Sequence, residues 1–482
     1  MALKELDTLI QHPFESELVL ADAGLMRPKQ ELKPDPPAAF SPRQLELTNQ
    51  VFDLNTATKK LLLSHIHPLK DNEKKEKTME LLNQLYELIR IGGTLGIKYE
   101  FSQTRDPKTP DAVLVKEKDG NLYANCNELS LLFVAAAKYL NADMSAVGLI
   151  NLKFNIELGL LQPEQTRHTL ALEKDDKKYI VDFTFKEIGI HEVSSFDSLD
   201  ISNVYRNKET PSGKIIDVLA LQTAETLPEM AALQFKQQAS VYYHQNMAGK
   251  MEKVIDALEK ALILNPSDSR LREIGAQNCC WIAEQAYPFR DPSQKGSWDP
   301  QKAEKYIRKA LTFESDNFIA HSYLASLYFD TKKYALAIPE YEAALKSDPS
   351  SLQTQHDLLR SLVNLKRFKE AETLFTMFKS KNINDPEQRS VGFDIYAGLN
   401  DFHKLLGFAE EVLSIKGDDG EAHRNRVSAL FELSRQANNP DVSAEYLARA
   451  KAAAKEALDS LPTSNQDYQS IRAWLSQFPE SK

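Results

Sequence analysis

The stretch Phe318–Pro349 sets a spacing that much of the C-terminal half repeats. With Phe318 counted as one, Leu324, Ala325, Tyr328, Ala337, Tyr341, Ala344 and Pro349 fall at positions 7, 8, 11, 20, 24, 27 and 32. Small residues at 8 and 20 let two antiparallel helices approach closely, and aromatics at 11 and 24 fill the gap beside them. Advancing by 34 puts Leu358, Leu362, Ala371 and Phe375 at positions 7, 11, 20 and 24. Stepping back from Pro266 gives a weaker copy, with Val241, Leu258 and Ala261 at 7, 24 and 27. A further unit holds Ile274 and Gly275, then Ala303, Ile307 and Ala310, and is split by the insertion RDPSQKGSWDP. That insertion adds roughly 16 residues to the period. Looser helix pairs follow at Arg389–Ser414 and Glu421–Leu461. A unit of this length cannot bury its apolar face alone, so the copies must stack on one another.

These middle repeats resemble the tetratricopeptide (TPR) family. The resemblance implies an all-α solenoid with a groove that takes a peptide or a partner protein. A two-carboxylate clamp of Lys, Asn and Arg is not present on the helices that would carry it. The clearest copy offers Ile319, Ser322 and Tyr323, and the next offers Gln353, His356 and Asp357.

Composition bounds the remainder. The chain has 482 residues, 42% hydrophobic and 27% charged, enough for roughly two to four domains. Three cysteines support neither a disulfide framework nor a four-cysteine zinc site. The longest clean apolar run, Leu131–Ala137, is far short of the roughly 20 residues that span a bilayer, so no membrane span is expected. The N-terminus is acidic and lacks the apolar core of a Sec-type signal, which favours a cytoplasmic protein. A formal charge of −10 argues against nucleic-acid binding. Five prolines between Arg27 and Arg43 make an extended arm. Helical patterns follow from Leu45 to Leu63 and from Lys75 to Ile91, then short β-like runs at Val147–Leu152, Thr169–Leu172 and Tyr179–Phe183. The expected organisation is an arm over 1–42, an α+β domain over 43–226 and the helical array over 227–482.

Candidate chemistry centres on Cys126. Leu129, Leu132, Phe133 and Ala136 mark one face of an amphipathic helix that Asn125 can cap and whose first turn Glu128 favours. A thiol at a helix N-terminus has its thiolate stabilised by free N–H groups, as a nucleophile requires. A buried cysteine acting as a small hydrophobe is the plain structural alternative. A base is offered by His168, at the start of a hairpin formed by His168–Glu173 and Lys178–Phe183. An odd turn between these strands puts His168 across from Asp182 or diagonal to it, on one face. A two-residue turn at Asp175-Asp176 puts His168 opposite Phe183 and turns Asp182 away.

The order Cys126, His168, Asp182 resembles the transglutaminase-like superfamily, related to papain-type thiol proteases. Tyr99 and Pro110–Leu114 look like that family's approach to the cysteine, and the likeness runs over roughly Arg43–Asp217. It implies Cys126 as nucleophile, His168 as base and Asp182 as orienter. No motif identifies an oxyanion stabiliser; the Cys126 N–H is the default, with Asn125 or Tyr123 as side-chain candidates. Ala124 stands in place of the family's glycine, and Phe183 in place of its proline. No cofactor motif and no metal-ligand spacing occurs; His65-Ile66-His67 is a lone pair. The expected fold is therefore an α+β transglutaminase-like domain followed by a tetratricopeptide solenoid. The expected function is cysteine-dependent acyl transfer on a protein substrate; the alternative is an adaptor whose α+β domain is catalytically silent.

Overall fold

The computed structural model of the chain describes residues 40–100, 108–156, 167–206, 208–210, 213–224, 226–244, 251–287, 289, 299–382 and 385–477. The arm ahead of Phe40 and most of the insertion, 290–298, lie outside the described residues. The chain divides at Asn278/Cys279 into two units.

The first unit opens with α1 (Pro42–Phe52), started by a capping box in which Ser41 and Gln44 exchange side-chain bonds. Helices α2 (Thr56–Leu63) and α3 (Lys74–Ile89) follow. Short strands β1 (Lys98–Tyr99) and β2 (Tyr123–Ala124) pair in parallel, with α4 (Pro110–Val113) between them. Helix α5 (Cys126–Tyr139) is buried without interruption from Glu128 to Ala137, so it is a central helix rather than a half-exposed one. Then come β3 (Ser145–Ile156), β4 (Arg167–Lys174), β5 (Lys177–Asp182), β6 (Gly189–Val193), α6 (Ser198–Tyr205), β7 (Glu209–Thr210) and β8 (Gly213–Ala224). They form one antiparallel sheet in the order β6-β5-β4-β3-β8-β7.

The β4–β5 turn is the two-residue form. Asp175 and Asp176 both take left-handed φ, 51° and 60°, and Lys174 pairs with Lys177 across them. This fixes the register, with Leu170 opposite Val181 and Ala171 opposite Ile180. The two faces of the sheet then separate cleanly. Ile150, Leu152, Ala171 and Ile180 pack with Ile201 and Tyr205 of α6. On the other side Phe183, just past β5, stacks edge-on against Phe133 of α5 at 5.4 Å.

The helical array was expected to begin at Leu227. Instead α7 (Leu227–His244) and α8 (Met251–Leu264) belong to the first unit. Helix α7 lies against α1, β3 and β8, burying Met230, Ala231 and Ala239, and α8 lies against α7 and α1. A helix pair that covers a sheet domain and one that opens a solenoid carry the same apolar pattern, so periodicity does not separate them. Helix α9 (Ser269–Ala286) runs across the division.

The second unit is built from helix pairs with one repeated set of joints. After α10 (Pro300–Phe313) come α11 (Phe318–Asp330) and α12 (Tyr334–Ser347), α13 (Leu352–Asn364) and α14 (Phe368–Asn382), α15 (Pro386–Gly398) and α16 (Phe402–Ile415), α17 (Gly420–Gln436) and α18 (Pro440–Ser460), then α19 (Gln466–Leu475). The N-caps of α11, α13, α15 and α17 are Asn317, Ser351, Asp385 and Asp419, each 34 residues after the last (351 − 317, 385 − 351, 419 − 385). Within three pairs the first helix ends on a left-handed residue, Lys332, Lys366 and Asn400, again 34 apart. The next N–H closes a 6→1 bond: Lys333 to Tyr328 O, Arg367 to Leu362 O and Asp401 to Tyr396 O. A third joint recurs between pairs, where a side chain four residues past the cap donates back to the preceding turn. His321 Nε2 reaches Ser315 O at 2.9 Å, Gln355 Nε2 reaches Pro349 O at 2.7 Å and His423 Nε2 reaches Gly417 O at 2.9 Å.

The α15–α16 pair, loose in the sequence, is therefore in full register. Its residue sizes are exchanged. Positions 7 and 8 are Gly392 and Phe393, and positions 20 and 24 are Leu405 and Ala409, reversing the small–large order of Ala337 and Tyr341. The hole at Gly392 is filled by Phe375 and Phe408.

One prediction arises from the joints. A lysine in the left-handed region costs about 1 kcal/mol that glycine does not, partly offset by glycine's extra unfolded-state entropy. Lys366→Gly is expected to stabilise the second unit by about 0.5 kcal/mol. Chemical denaturation of the two proteins side by side reads the difference; a loss of stability refutes the joint assignment.

Candidate functional site

Cys126 is the first residue of α5, and its placement follows from local sequence. Asn125 caps the helix by accepting the Glu128 N–H at 2.9 Å, and Glu128 returns the bond to the Asn125 N–H at 2.9 Å. Cys126 is only 4% exposed. The buried Glu128 carboxylate also accepts the Lys108 N–H at 2.7 Å, so it is spent on structure. Of the two side-chain oxyanion candidates, the Tyr123 hydroxyl donor is engaged, while Asn125 is held in place through its capping oxygen. Asn125 Oδ1 is the cap, and the Tyr123 hydroxyl donates to Asp119 at 2.6 Å.

His168 lies on β4, paired through the backbone with Asn151 of β3; its side chain lies outside the described residues. Asp182 ends β5. Extending the β4–β5 register by one step sets Asp182 level with Thr169, one place away from His168. That is the arrangement tied above to a two-residue turn. The Asp182 side chain is 1% exposed and points to the α6 face. Its Oδ2 accepts the Tyr205 hydroxyl at 2.7 Å. Its Oδ1 accepts the Thr184 N–H and hydroxyl, each at 2.7 Å, and the Phe185 N–H at 2.8 Å. The Tyr86 hydroxyl donates to the Asp182 carbonyl at 3.1 Å, and burial, with the Asp182 charge second, pushes the Tyr86 phenol up to about 12. Asp182 thus knots the end of β5 to α6 and α3.

The other two cysteines sit together on α9 and are buried; burial pushes the Cys280 thiol up to about 12. Among the described residues no group of three or more His, Cys, Asp or Glu is placed to hold a metal ion.

The second unit presents a different kind of site on its first helices. Stepping by 34 generates columns: Gln353, Glu387 and Glu421; His356, Ser390 and Arg424; Arg360 and Asp394. Bonds between neighbouring helices tie these columns together. His356 Nδ1 meets Glu387 at 3.2 Å, and the Ser390 hydroxyl donates to Glu421 at 3.2 Å. Arg424 donates to Asp467 of α19 at 2.7 Å and to Glu421 at 3.3 Å. Loss of surrounding water raises the pKa of Asp330, Asp357, Asp394 and Glu421. Asp330 and Asp394 touch solvent and are still desolvated, as on a surface closed in by neighbouring helices. A carboxylate raised in the folded state disfavours the fold once ionised, so these groups cost stability near neutrality and release that cost as pH falls through their folded pKa. The sequence reading names Gln353, His356 and Asp357 on these helices but not Glu387, Asp394 and Glu421. For two of the three the signal is in the period: Glu387 and Glu421 are the Gln353 position advanced by 34 and by 68.

No protein-family model matches the chain, and no curated protein matches it. Similar solved structures include YrrB, a TPR protein described as having an unusual peptide-binding site, at 17% identity over 40% of this chain and 89% of that one, TM-score 0.27. A tetratricopeptide repeat protein from Parabacteroides merdae aligns at 13% identity over 51% of this chain and 97% of its own, TM-score 0.28. Pseudomonas aeruginosa pilF aligns at 16% over 51% and 99%, TM-score 0.28. The tetratricopeptide-like character of the second unit rests on its own 34-residue joints. The likeness of the first unit to the transglutaminase-like superfamily remains a reading of the sequence.

Proposed function

We propose that the chain is an adaptor. The tetratricopeptide-like array binds a protein or peptide partner, and the first unit is a transglutaminase-like scaffold without acyl-transfer activity. The observation that carries this reading is Asp182. A carboxylate already accepting four hydrogen bonds on the α6 face has no role left as orienter of a thiol–imidazole pair. The desolvated carboxylates on the first helices of the array support the binding half of the reading.

A second reading, thiol chemistry at Cys126 with His168 as base and no Asp182, draws on one fact: Cys126 is the first residue of a capped helix. Iodoacetamide labelling across roughly pH 5 to 9 separates the two. The adaptor reading expects Cys126 labelling to rise only toward about pH 8.5. Cys280, its thiol held far above that range, serves as the silent reference in the same sample. Fast labelling of Cys126 near neutrality overturns the adaptor reading.

A further inference from the structure

The chain that leaves α9 toward the insertion is seated on α11. Phe289 stacks on Tyr323, with ring centroids 4.4 Å apart and planes 11° from parallel. The Tyr287 hydroxyl donates to Asp330 Oδ2 at 3.0 Å, and the Tyr287 and Phe289 rings pack on each other at 4.9 Å. Tyr323 and Asp330 are positions 6 and 13 of the α11–α12 repeat. Seven residues make about two helical turns, so both stand on one stripe of α11. On the helical wheel this stripe falls on the side opposite Ala325 and Tyr328, which are buried at the repeat's own packing positions.

The neighbouring helices are joined without this contact. The N–H of Asp299, the cap residue of α10, donates at 3.0 Å to the carbonyl of Ala286, the last residue of α9. The chain between them therefore leaves and returns at one point, and Tyr287 and Phe289 can part from α11 with that joint intact. What holds them there is a ring stack and one charge-assisted hydrogen bond. Any segment with tyrosine and phenylalanine two residues apart offers the same pair of contacts.

We propose that this stripe of α11 recognises a Tyr-x-Phe segment of a partner protein, and that the free chain fills it with its own Tyr287 and Phe289 until that segment displaces them. The proposal rests on the adaptor reading and supplies its partner's chemistry and its regulation. The resident pair selects the occupant: the Tyr323 ring takes an aromatic face, and Asp330 takes a hydroxyl donor. Because Tyr287 directly follows α9, the resident pair competes at an effective concentration of about a millimolar or more. A partner's apparent affinity is lowered by the fraction of time the stripe stands vacant.

Fluorescence anisotropy on the full chain tests it, with a fluorescein-labelled peptide of the chain's own residues 284–291, EQAYPFRD, and a matched peptide with both aromatics replaced by alanine. Y287A/F289A vacates the stripe and is expected to bind the aromatic peptide about tenfold tighter than the parent, as for a stripe open about a tenth of the time. Phe289→Leu, which keeps apolar bulk and removes the stack, is expected to gain about threefold. Y287A/F289A/Y323L is expected to lose the gain, and the alanine peptide to bind no variant. Helical circular dichroism is expected to match the parent throughout; its loss in Y287A/F289A overturns displacement, because those residues would then be holding the array together. Equal affinities in the parent and Y287A/F289A, or undiminished binding to the Tyr323 variant, overturn the site. A parent that light scattering finds dimeric, beside a monomeric Y287A/F289A, makes the occupant a second copy and overturns the partner assignment. Failure of the adaptor reading shows elsewhere, as neutral-pH labelling of Cys126, which the anisotropy does not measure.

Discussion

Asp182→Ala is expected to unfold the first unit far more readily than any change at Cys126. The substitution strips acceptors from the Tyr205 and Thr184 hydroxyls and from the Thr184 and Phe185 N–H groups. Tyr205 is fully buried, and its hydroxyl loses its carboxylate acceptor in the Ile180–Ile201 core. Each hydrogen bond to a charged group lost in this way costs about 1.5–3 kcal/mol, and solvent reaching Thr184 relieves part of it. We expect a net loss of about 3–5 kcal/mol, at the upper end for a single substitution. Asp182→Asn keeps one acceptor oxygen for the β5 end and should lose about 1–2 kcal/mol. Urea titration followed by the near-ultraviolet signal of the first unit reads both. If Asp182 only oriented an imidazole, both variants would unfold like the parent and lose only a catalytic rate.

The second large effect belongs to Gly392. A Cβ there would lie 2.4 Å from Phe375 Cζ and 2.6 and 2.9 Å from the Phe408 ring. Neither ring can retreat. Phe375 packs edge-on against Phe408 at 5.4 Å and against Tyr396 at 6.0 Å, and Phe393 closes on Phe408 at 4.9 Å. Gly392→Ala is expected to destabilise the second unit by about 3 kcal/mol, because the extra methyl must push aside a packed aromatic cluster. Gly407, exposed on α16 with nothing within 4 Å of an added Cβ, gives the matched contrast. There the same substitution removes only glycine's entropy cost and should stabilise by about 1 kcal/mol. The pair of opposite signs, measured by denaturation midpoints, separates packing from helix propensity. Two losses of similar size would show that the Gly392 position is not the packing hole described.

Local physics made much of this legible. The cap Asn125 and the apolar stripe from Leu129 mark α5 because both signals lie within one or two helical turns. The α11–α12 pair stands out because its small and large residues occupy the common positions. The α15–α16 pair was obscured by an exchange of sizes: Gly392 is small because Phe375, in the preceding pair, is large. A compensation between residues that are distant in sequence leaves no trace in either helix read alone. The β4–β5 register turned on one integer, the length of the turn, and Asp175-Asp176 carries no glycine to announce a two-residue form. Asp182 was read through a family pattern; its partner Tyr205 lies 23 residues away on α6, and only the packed sheet brings the two together. The first unit's claim on α7 and α8 was equally a tertiary matter.

The recurrence of identical joints every 34 residues gives the array something like a reading frame. A helix pair excised or duplicated as a whole period joins a cap to its proper turn, and the charged columns stay in line across the seam. A change of any other length puts Asp394 and its counterparts out of step with their neighbours, even where each helix survives. The array can therefore lengthen or shorten by whole periods without breaking the joints between its helix pairs.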